Sequence, residues 1–353
     1  MTSKERVRAA LARKPVDKIP AGFTAVGKVY ESLYEKYGFT NYSQLAEKFD
    51  LDIFYTNPRY IGPELPTRYD ENGNLVSMTY WGCEKTAHDT GKEIYQTNSW
   101  YPLSLDNTLE EIENFKFPNP DWFDYSPITE CCNANPDKAI LIGHPGPFQV
   151  ITNVMNMEDL FILMLEEPDT AKKLLNNLVE FEMEYYRRSF AAGGGKVDFI
   201  HTCDDYGTQI SMLFSVDMWK DFFRDNTKRL VDLAHENNAF FQQHSCGAIA
   251  PLIPEFIKCG IDSLDPVQKV TGLEVERLKE LYEGQITFHG GIDTQFLLPN
   301  GNPEEVKEEV KKFMKTLGEN SGYILMGSQG YETDIPLENI EAIYSVPRDL
   351  SLI

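Results

Sequence analysis

The sequence predicts an α/β fold, a single (β/α)8 TIM barrel with a β-hairpin insertion. Eight short apolar runs alternate with helical patterns along a chain of 353 residues, a length that suits one large barrel. Hydrophobic residues make up 42% and aromatic residues 12%, enough for a large buried core. Because no repeat, low-complexity tail or linker divides the chain, we expect residues 1–353 to form one domain.

Each predicted strand is a run of apolar, β-branched or aromatic residues that ends at a turn. In chain order the runs are residues 18–23, 52–56, 139–144, 196–203, 239–246, 263–268, 286–291 and 322–327. Eight such strands separated by helices favour a closed barrel. An open doubly wound sheet is the alternative, but no GxGxxG pattern follows the first strand.

Caps and breakers define the clearest helices. Residues 157–195 contain two helices, with a break at Pro168 and a stop at the glycines 193–195. Ser215 is a cap for the next helix, and Asn302 begins another that has acids in its first turn. Residues 68–103 depart from the alternation of strands and helices. They alternate in polarity around an Asn-Gly turn, which predicts the hairpin insertion.

The charge balance excludes several classes of partner. Lys and Arg number 33 against 55 Asp and Glu, a formal net charge of −22, which argues against nucleic acids and anionic membranes. The N-terminus lacks an apolar leader and no run of about 18 apolar residues occurs, so we expect a cytoplasmic protein. The six cysteines are then expected to be thiols or ligands rather than disulfides.

Polar residues cluster where the later strands end, and in a barrel of this class the active site lies at those C-terminal ends. His244 and Cys246 are two apart on an extended segment, so both side chains share one face. Imidazole and thiolate together suit Zn²⁺. The alternative is a hydrogen-bonded histidine beside a partly buried thiol.

Three further strand-end residues are the candidate catalytic groups: Asp204, Asp205 and Gln268. A carboxylate there could act as a base, hold a substrate N–H or serve as a hard metal ligand. For the aspartate pair, the alternative is a cap on the helix that follows.

Five segments together resemble the uroporphyrinogen decarboxylase superfamily, in the expected order and across essentially the whole chain. They are "TSKERVRAALARKPVDKIP", "FIHTCDDYGTQISMLFSVDMWKDFF", "HSCGAIAPLIPEFIKCGIDSLDPVQ", "HGGIDTQFLLPNGNPEEVKEEV" and "GYILMGSQGYETDIPLENIEAI". The resemblance implies a single barrel with its site at the strand C-termini. It also implies a homodimer, because dimers are common in this superfamily.

The superfamily contains two chemistries. True uroporphyrinogen decarboxylases hold an octacarboxylate substrate through arginines near the first strand, but "IPAGFTAVGKVYESLYEKYG" contains none. The cobalamin-dependent methyltransferases bind Zn²⁺ through an H-x-C pair and a distant third cysteine. His244 and Cys246 match that H-x-C pair, whereas Ser328 stands where the third cysteine is expected.

The resemblance therefore leaves the third zinc ligand open among Cys203, Asp204, His289 and Glu332. With one thiolate fewer, the ion would carry more positive charge and suit an oxygen substrate such as a methoxy ether. The leading prediction is a methyltransferase that uses zinc and moves a methyl group between a small substrate and methylcobalamin or a corrinoid protein. A decarboxylase and a non-catalytic ligand-binding barrel are the alternatives.

Overall fold

The computed structural model describes residues 1–89, 91, 94–270, 272–320, 322–349 and 351. Within them the α-helices are α1 Ser3–Leu11, α2 Gly27–Tyr37, α3 Tyr42–Lys48, α4 Leu109–Glu113, α5 Ser126–Ala134, α6 Pro147–Val154, α7 Met157–Glu166, α8 Pro168–Gly193, α9 Val216–Phe222, α10 Arg224–Glu236, α11 Ile253–Cys259, α12 Val275–Tyr282, α13 Leu297–Asn300, α14 Pro303–Gly318 and α15 Leu337–Ser345. The strands are β1 Ile53–Tyr55, β2 Arg59–Tyr60, β3 Thr67–Tyr69, β4 Leu75–Met78, β5 Glu84–Asp89, β6 Ile94–Trp100, β7 Phe123–Asp124, β8 Ala139–Pro145, β9 Phe199–Cys203, β10 Phe240–His244, β11 Ser263–Asp265, β12 Thr287–His289 and β13 Tyr323–Ile324.

Seven parallel strands form a curled sheet in the order β1-β8-β9-β10-β11-β12-β13. The predicted first strand, residues 18–23, joins its two edges. Leu325 N–H donates to Pro20 O at 2.8 Å, and Asp52 N–H donates to Ala21 O at 2.9 Å. Proline has no N–H to give, so this segment pairs through single bridges instead of a regular ladder. The fold is TIM-barrel-like, as the sequence predicts.

Helix α1 covers the N-terminal end of the barrel. Its residues Val7, Ala10 and Leu11 are fully buried in a small cluster with interior strand residues: Ile53, Ala139, Leu141, Phe199 and Ile324. A second, much larger apolar cluster lies between the strands and the surrounding helices. With one end covered by α1, the C-terminal end is the one that remains open for a site.

Three aspartates mark the same N-terminal end, each one residue before a strand: Asp52 before β1, Asp198 before β9 and Asp262 before β11. Each carboxylate accepts a hydrogen bond of 2.8 or 2.9 Å from a backbone N–H of the neighbouring strand position, donated by Ala21, Ile140 and Phe241 in that order. The carboxylates therefore tie adjacent strands together where the strands begin.

Each of these aspartates also has a basic partner. The fully buried Asp52 accepts from Arg6 Nη1 at 2.6 Å and from Arg348 Nη1 at 2.8 Å. Asp198 pairs with lysine and arginine side chains of α1, and Asp262 pairs with a histidine of α10: Lys4, Arg8 and His235. Asp52 thus links α1, the closing segment and the C-terminal part of the chain.

The insertion is larger than the hairpin that the sequence predicts. Strands β3, β4, β5 and β6 form a four-stranded antiparallel sheet over residues 67–100. The predicted Asn-Gly turn joins β3 to β4, where Gly73 has a φ of 82°.

The helix boundaries follow the predicted signals. α7 and α8 are separated before Pro168, and Gly194 ends α8 in the left-handed conformation at φ 57°. Ser215 Oγ accepts from Met218 N–H, and Asn302 begins α14 with a capping box. In the part of the chain that the structure describes, none of the helices has the length and apolarity to cross a bilayer.

Candidate active site

A cavity of about 370 Å³ opens at the C-terminal end of the barrel. All eight strand positions supply residues to it, which is the arrangement expected of a barrel active site. The described lining residues are Thr24, Tyr55, Asn57, Leu141, Gly143, His144, Pro145, His201, Cys203, Gln242, His244, Asp265, His289, Met326, Ser328, Gln329 and Gly330.

His244 is the last residue of β10 and lies opposite Asp265 of β11 in the strand register. Its Nδ1 is 2.8 Å from Asp265 Oδ2, a distance that fits an N–H donated to the carboxylate. This bond fixes the ring orientation and leaves the lone pair on Nε2, which is the carboxylate–histidine arrangement common at metal sites.

Three potential ligands surround His244 Nε2. Cys246 Sγ lies 3.2 Å away and Asp205 Oδ1 lies 3.5 Å away. Cys203 Sγ contacts the same ring, and its sulfur, the Asp205 oxygen and the His244 nitrogen all lie within 4.8 Å of one another. Tetrahedral zinc separates N and S ligands by roughly 3.6 Å and N and O ligands by roughly 3.4 Å. Cys203, Asp205 and His244 are therefore close enough to hold one ion, and Cys246 Sγ lies next to the same ring nitrogen.

The turn after β10 holds Cys246 in place. Gly247 has a φ of 84°, and a Cβ on it would lie 2.4 Å from the backbone of Gly207, so only glycine fits. Gln268 Oε1 accepts from Gly247 N–H at 2.6 Å, and Asp205 Oδ1 accepts from Cys246 N–H at 2.9 Å. The sequence H-S-C-G thus sets the sulfur position through the backbone.

Four buried polar atoms in the cavity wall have no hydrogen-bond partner among the described residues: His144 Nε2, His201 Nε2, His289 Nε2 and Asp265 Oδ1. His289 Nδ1 lies 2.9 Å from Gln242 Oε1, which can only accept, so Nδ1 carries the proton and Nε2 is an acceptor. His289 and Asp265 are at least 95% buried. Unsatisfied buried groups are costly, so their retention at a cavity points to a ligand.

Burial and charge set different protonation states for three of the four cavity histidines: His201, His244 and His289. Burial lowers the pKa of His201 to about 4 and also lowers the pKa of His289. Burial is also the largest effect on His244 and acts in the same direction, but hydrogen bonds to Asp265, Cys203 and Cys246, together with the Asp265 charge, outweigh it and raise the His244 pKa. Burial raises the pKa of the Asp265 carboxyl, whereas His244 and the other two histidines bring it below its ordinary value. His201 and His289 are therefore neutral at pH 7.

The comparison with known proteins gives the family. Residues 105–349 match the family described as Uroporphyrinogen decarboxylase (URO-D). The chain belongs to the URO-D family.

Relatives of this URO-D family chain include members of both chemistries. It is 24% identical to the "Methylcobamide:CoM methyltransferase MtaA" of Methanosarcina barkeri (strain Fusaro / DSM 804), over 97% of this chain and 96% of that protein. It is also 24% identical to the "Uroporphyrinogen decarboxylase" of Ruthia magnifica subsp. Calyptogena magnifica, over 69% and 71%. The solved "methyltransferase from Methanosarcina mazei" superposes with a TM-score of 0.73 at 21% identity over 97% of both chains, a likeness in fold.

In this URO-D family barrel His244 lines the cavity, and Cys246 lies next to it outside the described lining, with Sγ 3.2 Å from His244 Nε2. Asp205 lies at the edge of the cavity, beside the His244 ring. Ser328 lines the cavity, but its Oγ is 3.0 Å from Thr294 Oγ1 and accepts from the Thr294 N–H.

Of the other predicted residues, Cys203 and His289 line the cavity, whereas Asp204, Gln268 and Glu332 do not. Asp204 is only 1% exposed and does not line the cavity, because its carboxylate accepts from Gln149 N–H at 2.8 Å and from Tyr206 Oη at 2.9 Å. Asp204 thus caps the first turn of α6, which contains Gln149; this helix precedes Asp204 in the chain and is not the following helix of the predicted alternative. Glu332 lines a separate groove beside α2 and the insertion.

Gln268 is likewise outside the cavity lining, and its amide supports Gly247 instead. The residue that sequence analysis left out of the site is Asp265, three positions earlier. The available signal was position: Asp265 is the last residue of β11, whereas Gln268 lies beyond the strand. His201 and Gln242 alternate with buried strand residues and could have been found by the same strand-end rule.

Proposed function

We propose that the chain is a corrinoid-dependent methyltransferase that binds zinc through His244, Cys246 and Cys203. The observation that carries the proposal is the His244 ring, oriented by Asp265, with Nε2 3.2 Å from Cys246 Sγ beside the cavity. The relation to the methylcobamide methyltransferase over 97% of the chain supports it.

Cys203 is the third ligand that the contacts favour. It lies opposite His244 in the register between β9 and β10, lines the cavity and contacts the His244 ring. The hydroxyl of Ser328 is hydrogen-bonded to Thr294. His289 Nε2 lies at another part of the wall, next to Gly22: a Cβ built on Gly22 would be 3.1 Å from it. A thiolate from the neighbouring strand thus replaces the one missing at position 328.

Zinc bound there would supply a Lewis acid that lowers the pKa of a substrate thiol. The protein's own residues hold His244 in one tautomer, fix the Cys246 backbone and enclose the acceptor in the cavity. In the overall reaction the substrate sulfur forms a bond to the methyl carbon as the carbon–cobalt bond breaks. The electron pair of that bond stays on cobalt, and the thiol proton leaves to solvent.

Decarboxylation of a porphyrinogen fits this cavity poorly. Among its described lining residues there is no lysine or arginine to pair with substrate carboxylates. The candidate carboxylate, Asp204, is committed to Gln149 and Tyr206 beneath α6. The cavity therefore favours methyl transfer over that alternative.

Zinc content and methyl transfer test the proposal together. We would measure zinc per chain, and the loss of methylcobalamin with a thiol acceptor, in wild type, Cys246→Ser, Cys203→Ser and Cys259→Ser. Cys259 is a buried cysteine of α11 outside the cavity, so it is the matched control.

We expect wild type and the control to bind zinc and demethylate methylcobalamin, and both cavity variants to bind zinc more weakly. Substitution with Co²⁺ counts the thiolates, since each cavity variant should lose about half of the sulfur-to-cobalt charge-transfer absorption. Equal zinc affinity in wild type and Cys203→Ser would remove Cys203 as a ligand. Carbon dioxide release from a carboxylated substrate by metal-free protein would contradict the proposed reaction.

A further inference from the structure

We propose that this site methylates a small thiol whose other end is an uncharged or cationic hydrogen-bond donor, and that it discriminates against thiols with an anionic end. The inference rests on the proposed function and specifies the substrate class of the same cavity. The proposed substrate differs from CoM, the thiol in the name of the methanogen relative, because CoM is 2-mercaptoethanesulfonate and carries a sulfonate.

The charges of the cavity wall carry the first step. The described lining residues include one carboxylate, Asp265, and neither lysine nor arginine. Asp205 adds a second carboxylate at the edge, 3.5 Å from His244 Nε2. A sulfonate or carboxylate placed here would face negative charge without a cationic side chain to neutralise it, which is costly in a desolvated site.

The hydrogen bonds of His289 and His244 direct their Nδ1 protons into the wall and away from a ligand. His289 Nδ1 faces Gln242 Oε1 at 2.9 Å. His244 Nδ1 faces Asp265 Oδ2 at 2.8 Å. A metal ion at His244, Cys203 and Cys246 would be neutralised largely by its own thiolates. The described wall thus offers the substrate's far end a buried carboxylate and neither lysine nor arginine.

The hydrogen-bonding capacity of the wall carries the second step. His289 Nε2 and Asp265 Oδ1 are both acceptors, both buried, and neither has a partner among the described residues. Tyr55 lies beside His289, because a Cβ on Gly22 would be 3.0 Å from Tyr55 Oη and 3.1 Å from His289 Nε2. A hydroxyl or ammonium group satisfies these acceptors, whereas a sulfonate offers only more acceptors.

Three thiols of the same chain length test the inference: 2-mercaptoethanol, cysteamine and 2-mercaptoethanesulfonate. We would measure binding of each to the zinc-loaded protein by calorimetry, and kcat/KM for its methylation by methylcobalamin. We expect both donor-ended thiols to exceed the sulfonate by at least about tenfold, because an unpaired buried charge costs more than a tenfold factor in affinity.

A variant that adds a positive charge to the cavity gives a second test. Comparing the ratio of kcat/KM between thiols in the variant and in wild type cancels differences in the intrinsic reactivity of the thiols. Thr24 lines the cavity, and its hydroxyl makes only a 3.8 Å contact with Met326 Sδ, so Thr24→Lys removes little. Thr316→Lys on α14 adds the same charge outside the cavity and is the control. Thr24→Lys should shift the preference toward the sulfonate at least about tenfold, with the control unchanged.

Sulfonate binding and turnover equal to or better than those of the other two thiols in wild type would overturn the inference, even if Thr24→Lys failed to fold. An unchanged ratio in a folded Thr24→Lys protein would overturn it as well. If zinc is bound but none of the thiols is methylated, the proposed methyl transfer fails, while the binding series still decides the charge class of the ligand.

Discussion

The buried carboxylates that precede three strands of this barrel and the carboxylate that ends β11 are hydrogen-bonded in opposite ways. At the N-terminal end, Asp52, Asp198 and Asp262 each accept a backbone N–H and each pair with a basic side chain. At the C-terminal end, Asp265 has one oxygen on His244 and the other without a partner among the described residues. The three N-terminal carboxylates have their hydrogen-bond partners within the protein, whereas Asp265 has an oxygen that a ligand could use.

This difference separates stability from function within single strands. β11 runs from just after Asp262 to Asp265, so one short strand carries a structural carboxylate and a site carboxylate three residues apart. Closed hydrogen-bond networks stabilise a fold, whereas unsatisfied groups cost free energy that a bound ligand can recover. The comparison predicts that substitutions at the two ends have different readouts.

The largest expected effect is at Asp52. Asp52→Ala leaves Arg6 and Arg348 buried without their shared carboxylate and should lower the free energy of unfolding by about 3–5 kcal/mol. Urea denaturation measures it. Asp106→Ala removes an exposed carboxylate and should change the value by less than about 0.5 kcal/mol. A similar small loss for Asp52→Ala would show that the buried network contributes little.

The second effect uses the two ends of β11. Asp265→Asn removes the carboxylate that orients His244 and should weaken zinc binding by about 10–100-fold, measured by competition with a chelator. Asp262→Asn, its matched control, should lower the free energy of unfolding and leave zinc affinity unchanged, because its partners are Phe241 N–H and His235. Equal zinc affinities in the two variants would contradict the division of roles.

A smaller effect is expected at His201, whose Nε2 is buried without a hydrogen-bond partner in the described part of the chain. His201→Leu replaces an unsatisfied polar ring with an apolar side chain of similar size. Thermal or urea unfolding should give a stability between unchanged and about 1 kcal/mol higher, while methyl transfer falls. A loss of more than about 1 kcal/mol would mean that the ring is structurally required.

The smallest expected effect is a pH dependence from His235. A hydrogen bond to Asp262, 2.8 Å away, raises the His235 pKa above its ordinary value of about 6.5, against the effect of burial. The stabilisation is therefore complete below about pH 6.5 and is lost as pH rises through the folded-state pKa. Because the side chain is 42% exposed, solvent screening limits it to less than about 1 kcal/mol.

Denaturation of wild type and His235→Gln between about pH 5.5 and 8.5 measures this term. The difference in unfolding free energy should shrink as the pH rises, because only the wild type loses a charged partner for Asp262. A constant difference across the range would assign the His235 contribution to packing instead of charge.

The sequence was a good guide wherever a local pattern had one structural meaning. Pro168 separates two helices and Asn302 caps another, because proline lacks an N–H and asparagine supplies an acceptor at any helix start. His244 and Cys246 face the same way because successive side chains on an extended segment alternate. That residues 1–353 form one domain, and that two chains form a dimer, stay predictions.

Pairings between distant segments were beyond local patterns. Asp204 and Asp205 are adjacent in sequence and both follow the end of β9 at Cys203, yet one lies under α6 and the other beside His244. Choosing Gln268 instead of Asp265 had the same origin, since a boundary shift of a few residues exchanges a cavity position for a loop position. The number of strands in the insertion was not predicted for a related reason: a pattern of alternating polarity predicts strands but not the number of turns between them, and the structure has four strands.

By itself, the sequence determined the barrel, its alternating elements and the H-x-C pair, all of which depend on residues close together in the chain. Only the tertiary structure decided the partners of that pair. The register of β9, β10 and β11 brings Cys203 and Asp265 to either side of His244, from positions 41 and 21 residues away. Strand register is set by the packing of the whole barrel, and so the completed site is a property of the fold.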